Sequence, residues 1–421
     1  MAAFVVTFVV VIGINTMLWV SAGIVRVVAA RLRGSPVRAS GRVPTPEDVA
    51  VVIAAHNEEL VIEATIRSAA RQVPIDNVFV VSDGSRDATA AVASAHGATV
   101  LDLSPNRGKA GAIRAIVEEF DIAGRFEVLL LLDADSQLSD DYLVTGLRDF
   151  ADPEVVAVAG RATTLLHPVP PTVLGRLLVA YRERLYLSVQ YLQKFGQAAR
   201  HLNAVSIVPG FASMYRTRVL AHIDIDAPGL TIEDYNMTFE VHAKRLGRIA
   251  FRPDAAVALT QDPDNLRDYS KQMRRWSLGF WQTVRRHGVH AGRFWTLLAI
   301  SITELVTSSV VTLLAAPIAL LSVGAAIVAA SGADPSGTAA AIAGALPPLA
   351  IVAGVLLPDY LLSVLAAVLA KRPSYLVRGL VFPVLRMLDA LLCLQAMRDA
   401  FVRRTDGRWA SPERRAVAQA G

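Results

Sequence analysis

Three stretches of this chain are too long and too apolar to sit comfortably in water. Phe4 to Val25 carries no charge for 22 residues, Leu305 to Ala333 carries none for 29, and Gly337 to Ala370 is interrupted only by Asp359. A bilayer core takes about 20 apolar residues in a helix. Each stretch meets that length and exceeds what a buried core helix needs. The start, Met1 to Phe4, lacks the basic residues of a cleaved signal. Basic residues crowd beside the spans: Arg26, Arg31, Arg33 and Arg38 after the first, Lys371, Arg372 and Arg378 after the third. Arg403, Arg404, Arg408, Arg414 and Arg415 fill the tail. Such clusters mark the cytoplasmic side, whereas the loop Ser331 to Gly337 has no Lys or Arg and is placed outside. The expectation is a multi-pass cell-membrane protein with its amino terminus outside and its carboxyl terminus inside.

That placement also decides what the charge means. A net charge of +5 and pI near 9.5 are compatible with nucleic-acid binding, but the positive residues sit beside spans and not on a separate face, so no nucleic-acid partner is expected. The single cysteine, Cys393, excludes an intrachain disulfide and reads as packing.

Between the spans the pattern changes. Residues 34–48 are rich in Gly, Pro, Ser and Arg and read as a linker. Val49 to Ala55 is a continuous apolar run, suited to a strand buried on both faces. Further strands are predicted at Val78–Val81, Ala98–Leu101, Phe126–Leu132 and Val155–Ala159, with helices over Glu58–Arg71, Ala88–Ala95 and Gly108–Phe120. Strands alternating with helices imply an α/β domain with a mostly parallel sheet, here over 49–265. Ligands bind such sheets at the carboxyl ends of the strands, where His56-Asn-Glu58, Ser82-Asp-Gly84 and Asp133-Ala-Asp135 all fall.

Two segments outside that alternation mix apolar and aromatic residues with basic ones. These are Thr172–Phe195, within the α/β domain, and Leu266–Val289, within the segment 266–292. Both fit helices lying in the headgroup plane, or surface helices packed on the domain. Residues 293–370 hold two spans. Leu376 to Met397 contains Arg378, Arg386 and Asp389, charges that are costly at a bilayer centre. The segment 371–421 is therefore read as an interfacial or membrane-packed helix followed by the basic tail.

Several residues carry chemistry. Asp133 and Asp135 flank one alanine past an apolar strand, and two carboxylates can hold Mg²⁺ or Mn²⁺ against a diphosphate. Alone, the same residues make a solvated acidic turn. Gly84 permits a tight turn after Asp83. Lys109 lies at a predicted helix start, which favours anions. Glu233 and Asp234 suit a helix first turn. Gln272, Arg275 and Trp276 lie in one basic aromatic helix, where the planar Arg fork matches a diphosphate and the indole offers a plate for a sugar ring.

In this order, Ser82-Asp-Gly-Ser85, Asp133-Ala-Asp135, Ile232-Glu-Asp234 and Gln272-Met-Arg-Arg-Trp276 resemble the motifs of membrane-integrated glycosyltransferases of family 2, the group of cellulose, chitin, hyaluronan and poly-N-acetylglucosamine synthases. The resemblance covers residues 48–290 well and the flanking spans loosely. It implies a cytosolic GT-A domain and an inverting, metal-dependent transfer from a UDP-sugar to a β-linked polysaccharide. By the same resemblance Asp234 is the general base and Asp83 a contact to uracil or ribose. Glu58, Lys109, Asp133 and Arg275 contact the donor nucleotide. Asp135 is the stronger metal ligand beside Asp133. Gly210, Phe211, Glu233, Gln272 and Trp276 line the acceptor side. The chain departs from the pattern at Ala54 and Ala55, where a proline is usual, and at Phe211.

A second reading within the class is transfer of one sugar to a lipid acceptor, since some lipid glycosyltransferases share the Gln-x-x-Arg-Trp signature and three spans are few for a polymer channel. A transporter without chemistry would explain Glu304 and Asp359 but not the strand-end aspartates. No Walker sequence, zinc-ligand cluster or serine elbow is visible.

Overall fold

The computed structural model describes residues 13–33 and 41–402. The first part of the amino-terminal span, Arg38 in the linker and the five-Arg tail lie outside the described residues.

The amino-terminal helix α1 (Ile14–Arg33) leads into the domain that carries the motifs. Strand β1 (Val49–Ala55) is buried along its whole length, as its unbroken apolar run requires. Strands β2 (Val78–Asp83), β3 (Thr99–Leu103) and β4 (Val128–Asp133) follow, joined through helices α2 (Ile62–Ala70), α3 (Thr89–Ala95) and α4 (Gly108–Glu119). Then come the short strands β5 (Ser136–Leu138), β6 (Val155–Ala159), β7 (Arg161–Thr164), β8 (Ala212–Arg216), β9 (Arg248–Ala250) and β10 (Val257–Thr260). Seven strands form one sheet in the order β3-β2-β1-β4-β8-β6-β9, and a smaller sheet runs β5-β10-β7.

The β1–β4 core is parallel, while β8 runs antiparallel to both β4 and β6. Alternate residues of the central strands feed two apolar layers. Val52, Phe79 and Leu131 face Ile116 and Met237, whereas Ile53, Val80 and Leu130 face Ile66 and Phe150. Covering both faces is what a parallel sheet needs. The chain winds one way from β1 to β2 and β3, then returns to β4 on the other side of β1. That reversal is the switch point at which open α/β sheets place their ligands.

The remaining helices are α5 (Val173–Leu187), which runs on through a π-helical turn at Ser188–Lys194, then α6 (Glu233–Ala243) and α7 (Leu266–His287). After these come α8 (Arg293–Ala330), α9 (Thr338–Ala345), α10 (Pro348–Leu369) and α11 (Phe382–Val402). Among the described residues three segments are long and apolar enough to cross a membrane: Ile14–Leu32, Arg293–Ala330 and Thr338–Leu369. The third is two helices, divided at Leu346-Pro347, because proline supplies no N–H to continue the ladder. Helix α11 lies on α7, with Cys393, Ala396 and Ala400 packed against Leu278 and Trp281.

Helix α5 joins these parts through four successive side chains. Tyr181 donates its hydroxyl to Asp389 on α11 at 2.9 Å, and Arg182 pairs with Asp262 at 3.2 Å. Glu183 accepts from Arg372 at 2.9 Å and from the Tyr375 hydroxyl, and Arg184 pairs with Asp359 on α10 at 2.7 Å. The charges on which a headgroup-plane reading of this segment leans, Arg182, Glu183 and Arg184, are buried against protein.

Candidate functional site

The strand-end residues meet at the switch point. In register, Ala54 of β1 lies beside Asp133 of β4, and Ala55 beside Ser82 of β2. The β1 exit carries His56, Asn57 and Glu58. His56 Nδ1 lies 2.7 Å from the Asp83 carbonyl, and Asn106 Nδ2 donates to the same oxygen at 2.7 Å. Glu58 is buried, with its N–H donating to Thr89 Oγ1 at 2.8 Å. Gly84 turns the chain at φ +65°, where its absent Cβ would stand 3.0 Å from the Asn106 nitrogen. Ser85 does not cap a helix; its hydroxyl accepts the Asn57 N–H at 3.1 Å, which ties the β1 and β2 exits together.

Asp83 is buried at the end of β2, and Oδ1 accepts the Arg107 N–H at 2.7 Å. Oδ2 is buried with no hydrogen-bond partner among the described residues. Burial pushes this carboxyl above its ordinary value, against the pull of the Arg107 and Gly108 amides. A buried carboxylate oxygen without a partner is costly.

Lys109, in the first turn of α4, organises the centre. Its ammonium lies 2.8 Å from Asp133 Oδ1 and 2.8 Å from Glu233 Oε1. Burial opposes its charge, yet Asp133, Glu233 and Asp234 hold it well above the usual lysine value. Glu233 opens α6 with Asp234 beside it. The burial of Glu233 is outweighed by the Lys109 charge, so its carboxyl lies below the ordinary value. Burial and the Glu233 charge push Asp234 well above its own. The pKa values of the two neighbouring carboxyls are thereby pushed in opposite directions. Gly210 approaches so closely that a Cβ there would run into Asp234 Oδ1. The next carbonyl, of Phe211, accepts the Asp133 N–H at 2.9 Å.

Lys109, Asp133, Gly210, Phe211, Glu233 and Asp234 thus lie together in one cluster. Asp135 follows β4 with Ser136 Oγ 3.4 Å from its Oδ1. Among the described residues no group of three or more His, Cys, Asp or Glu could hold a metal by itself. Two carboxylate oxygen donors leave the remaining coordination positions to phosphate and water, which is the donor set Mg²⁺ or Mn²⁺ accepts.

Gln272, Arg275 and Trp276 lie on α7, which is pinned against the start of α6. Gln282 Oε1 accepts the Thr231 N–H at 2.9 Å. Gly279 lets α7 approach Ile232, whose Cβ would stand 2.8 Å from a Cβ at that position. Gln272 Oε1 is buried with no hydrogen-bond partner among the described residues. The Arg182 guanidinium stacks 4.2 Å from the Trp276 ring centroid. Sequence reasoning missed Arg182 and its partners Asp262 and Tyr186, and it also missed Lys194. The Lys194 ammonium faces the Phe251 ring at 5.4 Å, and burial lowers its pKa to about 8, with Asp234 acting in the opposite direction. None of these residues stands in a recurring pattern.

A doubly wound sheet with acidic side chains gathered at its switch point is the arrangement in which open α/β domains bind ligands. The family model described as "Glycosyltransferase like family 2" matches residues 46–279, more than half of the chain, and the chain belongs to that family. It is therefore a glycosyltransferase with a GT-A domain.

The fold is similar to that of a mannosyltransferase from Pyrobaculum calidifontis solved with GDP-Man and Mn²⁺, at TM-score 0.50 and 18% identity, covering 93% of this chain and 98% of that one. A glucosyl-3-phosphoglycerate synthase from Mycobacterium tuberculosis, solved with Mn²⁺, UDP-glucose and phosphoglyceric acid, overlaps at TM-score 0.37 and 18% identity, over 58% of this chain and 81% of that one. Over 88 residues the chain is 31% identical to Protein RfbJ of Shigella flexneri, which is 21% of this chain. It spans 64% of that relative's length.

Proposed function

We propose that the protein is an inverting, metal-dependent glycosyltransferase that draws on a UDP-sugar at the cytosolic face of the cell membrane and builds a β-linked polysaccharide. One observation carries this reading. Lys109 touches Asp133 and Glu233 at once, so the carboxylates suited to a metal–diphosphate and the carboxyl suited to an acceptor proton line the same pocket. Asp133 and Asp135 would hold the divalent ion, which when bound supplies charge to a leaving diphosphate.

The chain's own residues do the rest. Asp234 takes the proton of the acceptor hydroxyl as that oxygen attacks the anomeric carbon. Glu233 holds Lys109 in place, and Lys109 offers positive charge beside Asp133 where the diphosphate collects. Arg275 adds a planar fork for the same group. Glu58 and Asp83 line the nucleoside end, where Asp83 Oδ2 has room for one further donor. Uracil presents one imide N–H, whereas guanine presents adjacent N–H groups that favour a carboxylate with both oxygens open. Gly210, Phe211, Gln272 and Trp276 form the acceptor side.

A second reading, transfer of a single sugar to a lipid, has one observation in its favour: only three candidate spans among the described residues.

Two measurements test the proposal. Purified protein offered a panel of UDP- and GDP-sugars should release UDP from one donor, in a reaction that chelator stops. Asp234→Asn should keep nucleotide binding while transfer falls by about 10²–10⁴-fold. Near wild-type turnover in that variant rejects the base assignment. A ladder or high polymer supports the first reading, and a single organic-soluble product the second.

A further inference from the structure

We propose that Arg182 is a positioning residue that sets the plane of Trp276 for the acceptor sugar, an inference that rests on Trp276 lying on the acceptor side. Arg182 is 1% exposed, and its guanidinium is held at every edge. Nε donates to Asp262 Oδ1 at 3.2 Å, and Nη2 donates to the Tyr186 hydroxyl at 2.7 Å. That hydroxyl donates in turn to Asp262 Oδ1 at 2.7 Å, and Thr164 Oγ1 donates to Asp262 Oδ2 at 2.8 Å. Nη1 meets Met273 Sδ, on α7 itself, at 3.1 Å.

With these bonds holding it, the guanidinium carbon sits over the Trp276 ring, 4.2 Å from the centroid. The indole is only half-buried, so part of it remains open to a ligand. A sugar bound by stacking needs the ring plane fixed beforehand, because a plate that turns loses contact area and adds an ordering cost to binding. The cation–π contact supplies that restraint. Asp262 follows β10, and Thr164 ends β7. The orientation of the plate is therefore set by the small sheet of the catalytic domain as well as by α7. A buried ion pair is weak evidence for stability, since apolar replacements often serve as well. The flat face against Trp276 gives this pair a use of a different kind.

Replacing Arg182 alone strands Asp262 in the interior, so the informative variant is Arg182→Met combined with Asp262→Asn. Arg182→Lys serves as the partial rescue, keeping a cation beside Asp262 but giving up the flat face. Nucleotide release is measured in detergent with the full-length chain. The acceptor probe is whichever of cellotetraose, chitotetraose or octyl glucoside accelerates release by the unaltered protein.

The expected result is a rise of about 3- to 30-fold in acceptor KM for the double variant. Acceptor-free donor hydrolysis stays within about twofold, the limit of a change remote from the donor. Arg182→Lys falls in between. Parallel loss of acceptor-dependent and acceptor-free rates would mark Arg182 as a fold brace and overturn the inference. So would an unchanged acceptor KM in a double variant when Trp276→Ala raises it; the functional reading would then stand. If Trp276→Ala also leaves acceptor KM unchanged, or no probe accelerates release, the acceptor role of Trp276 falls and this inference with it. Should the double variant not fold, Arg182→Lys decides alone: unchanged acceptor KM overturns the proposal.

Discussion

Lys109 has two carboxylate partners at equal distance, and this decides which neighbouring carboxyl keeps a proton. Lys109 draws the Glu233 carboxyl below its ordinary value, while burial and the Glu233 charge push Asp234 well above its own. A base works only when deprotonated, so kcat/KM should fall on acidification through a pKa above that range. The sign follows from the cause. Removing the like charge with Glu233→Gln lowers the Asp234 pKa and moves the acid limb to lower pH; an acid limb that stays put or moves upward contradicts the coupling. Asp83, raised by burial alone, should add no limb once a nucleotide has bonded its open oxygen. The sequence made the carboxylates visible through motif order, and Lys109 through its predicted helix start. It did not make their contacts visible. Lys109 reads as a helix-start anion site, and nothing local in Asn106-Arg-Gly-Lys109 says that its ammonium reaches a helix more than a hundred residues later. Ser85 is the reverse case. A hydroxyl after Asp-Gly looks like a helix cap, yet the helix begins at Thr89 and the hydroxyl is taken by Asn57.

At the scale of elements, α7 shows what a signature helix must do besides carry its signature. Gly279 is an expensive residue in a helix interior, by about 1 kcal/mol relative to alanine, and its return is the close approach to Ile232 that seats α7 against the turn before Glu233 and Asp234. Gly279→Val should force that contact apart. We expect a destabilisation of about 1–3 kcal/mol and a larger proportional loss of transfer than of nucleotide binding, measured by thermal unfolding and by turnover. Equal activity in the folded variant would show that the seating does not matter. Strands made of an unbroken apolar run were legible, because burial on both faces writes itself that way: β6 falls where expected, and β1 begins and ends with its run. The short strands β5, β7, β8, β9 and β10 were not legible. Three to five residues carry no period, and β8 gains its place from its neighbours β4 and β6. The basic aromatic character of α5 is likewise ambiguous, since a charge destined for a buried partner looks the same in sequence as one destined for lipid phosphate.

For the whole molecule, the spans and the catalytic domain place opposite demands on the connecting loops. Val289, between α7 and α8, is fully exposed; the loop Ser331–Gly337 follows α8. Under the proposed topology these sites lie on opposite sides of the bilayer. In a Cys393→Ala background, Val289→Cys should react with a membrane-impermeant maleimide only after the cytosolic face is opened, and Ser336→Cys from the outside of intact cells. Reaction of both from one side would require α8 not to cross. The length and apolarity of that stretch were readable from sequence. The break at Leu346-Pro347 was available too, as the adjacent pair Pro347-Pro348 inside the third stretch.

The four neighbouring side chains Tyr181, Arg182, Glu183 and Arg184 have a mechanical consequence. With α10 in a bilayer, a change in lipid chain length tilts or shifts that helix to match the new thickness. Asp359 moves with it, Arg184 is rigidly coupled to Asp359, and Arg182 is two residues away on the same α5 backbone with the indole resting on it. The thickness of the surrounding lipid then becomes a lever on how well the enzyme grips its acceptor, and reconstitution into short- and long-chain bilayers should change acceptor KM while donor hydrolysis holds steady.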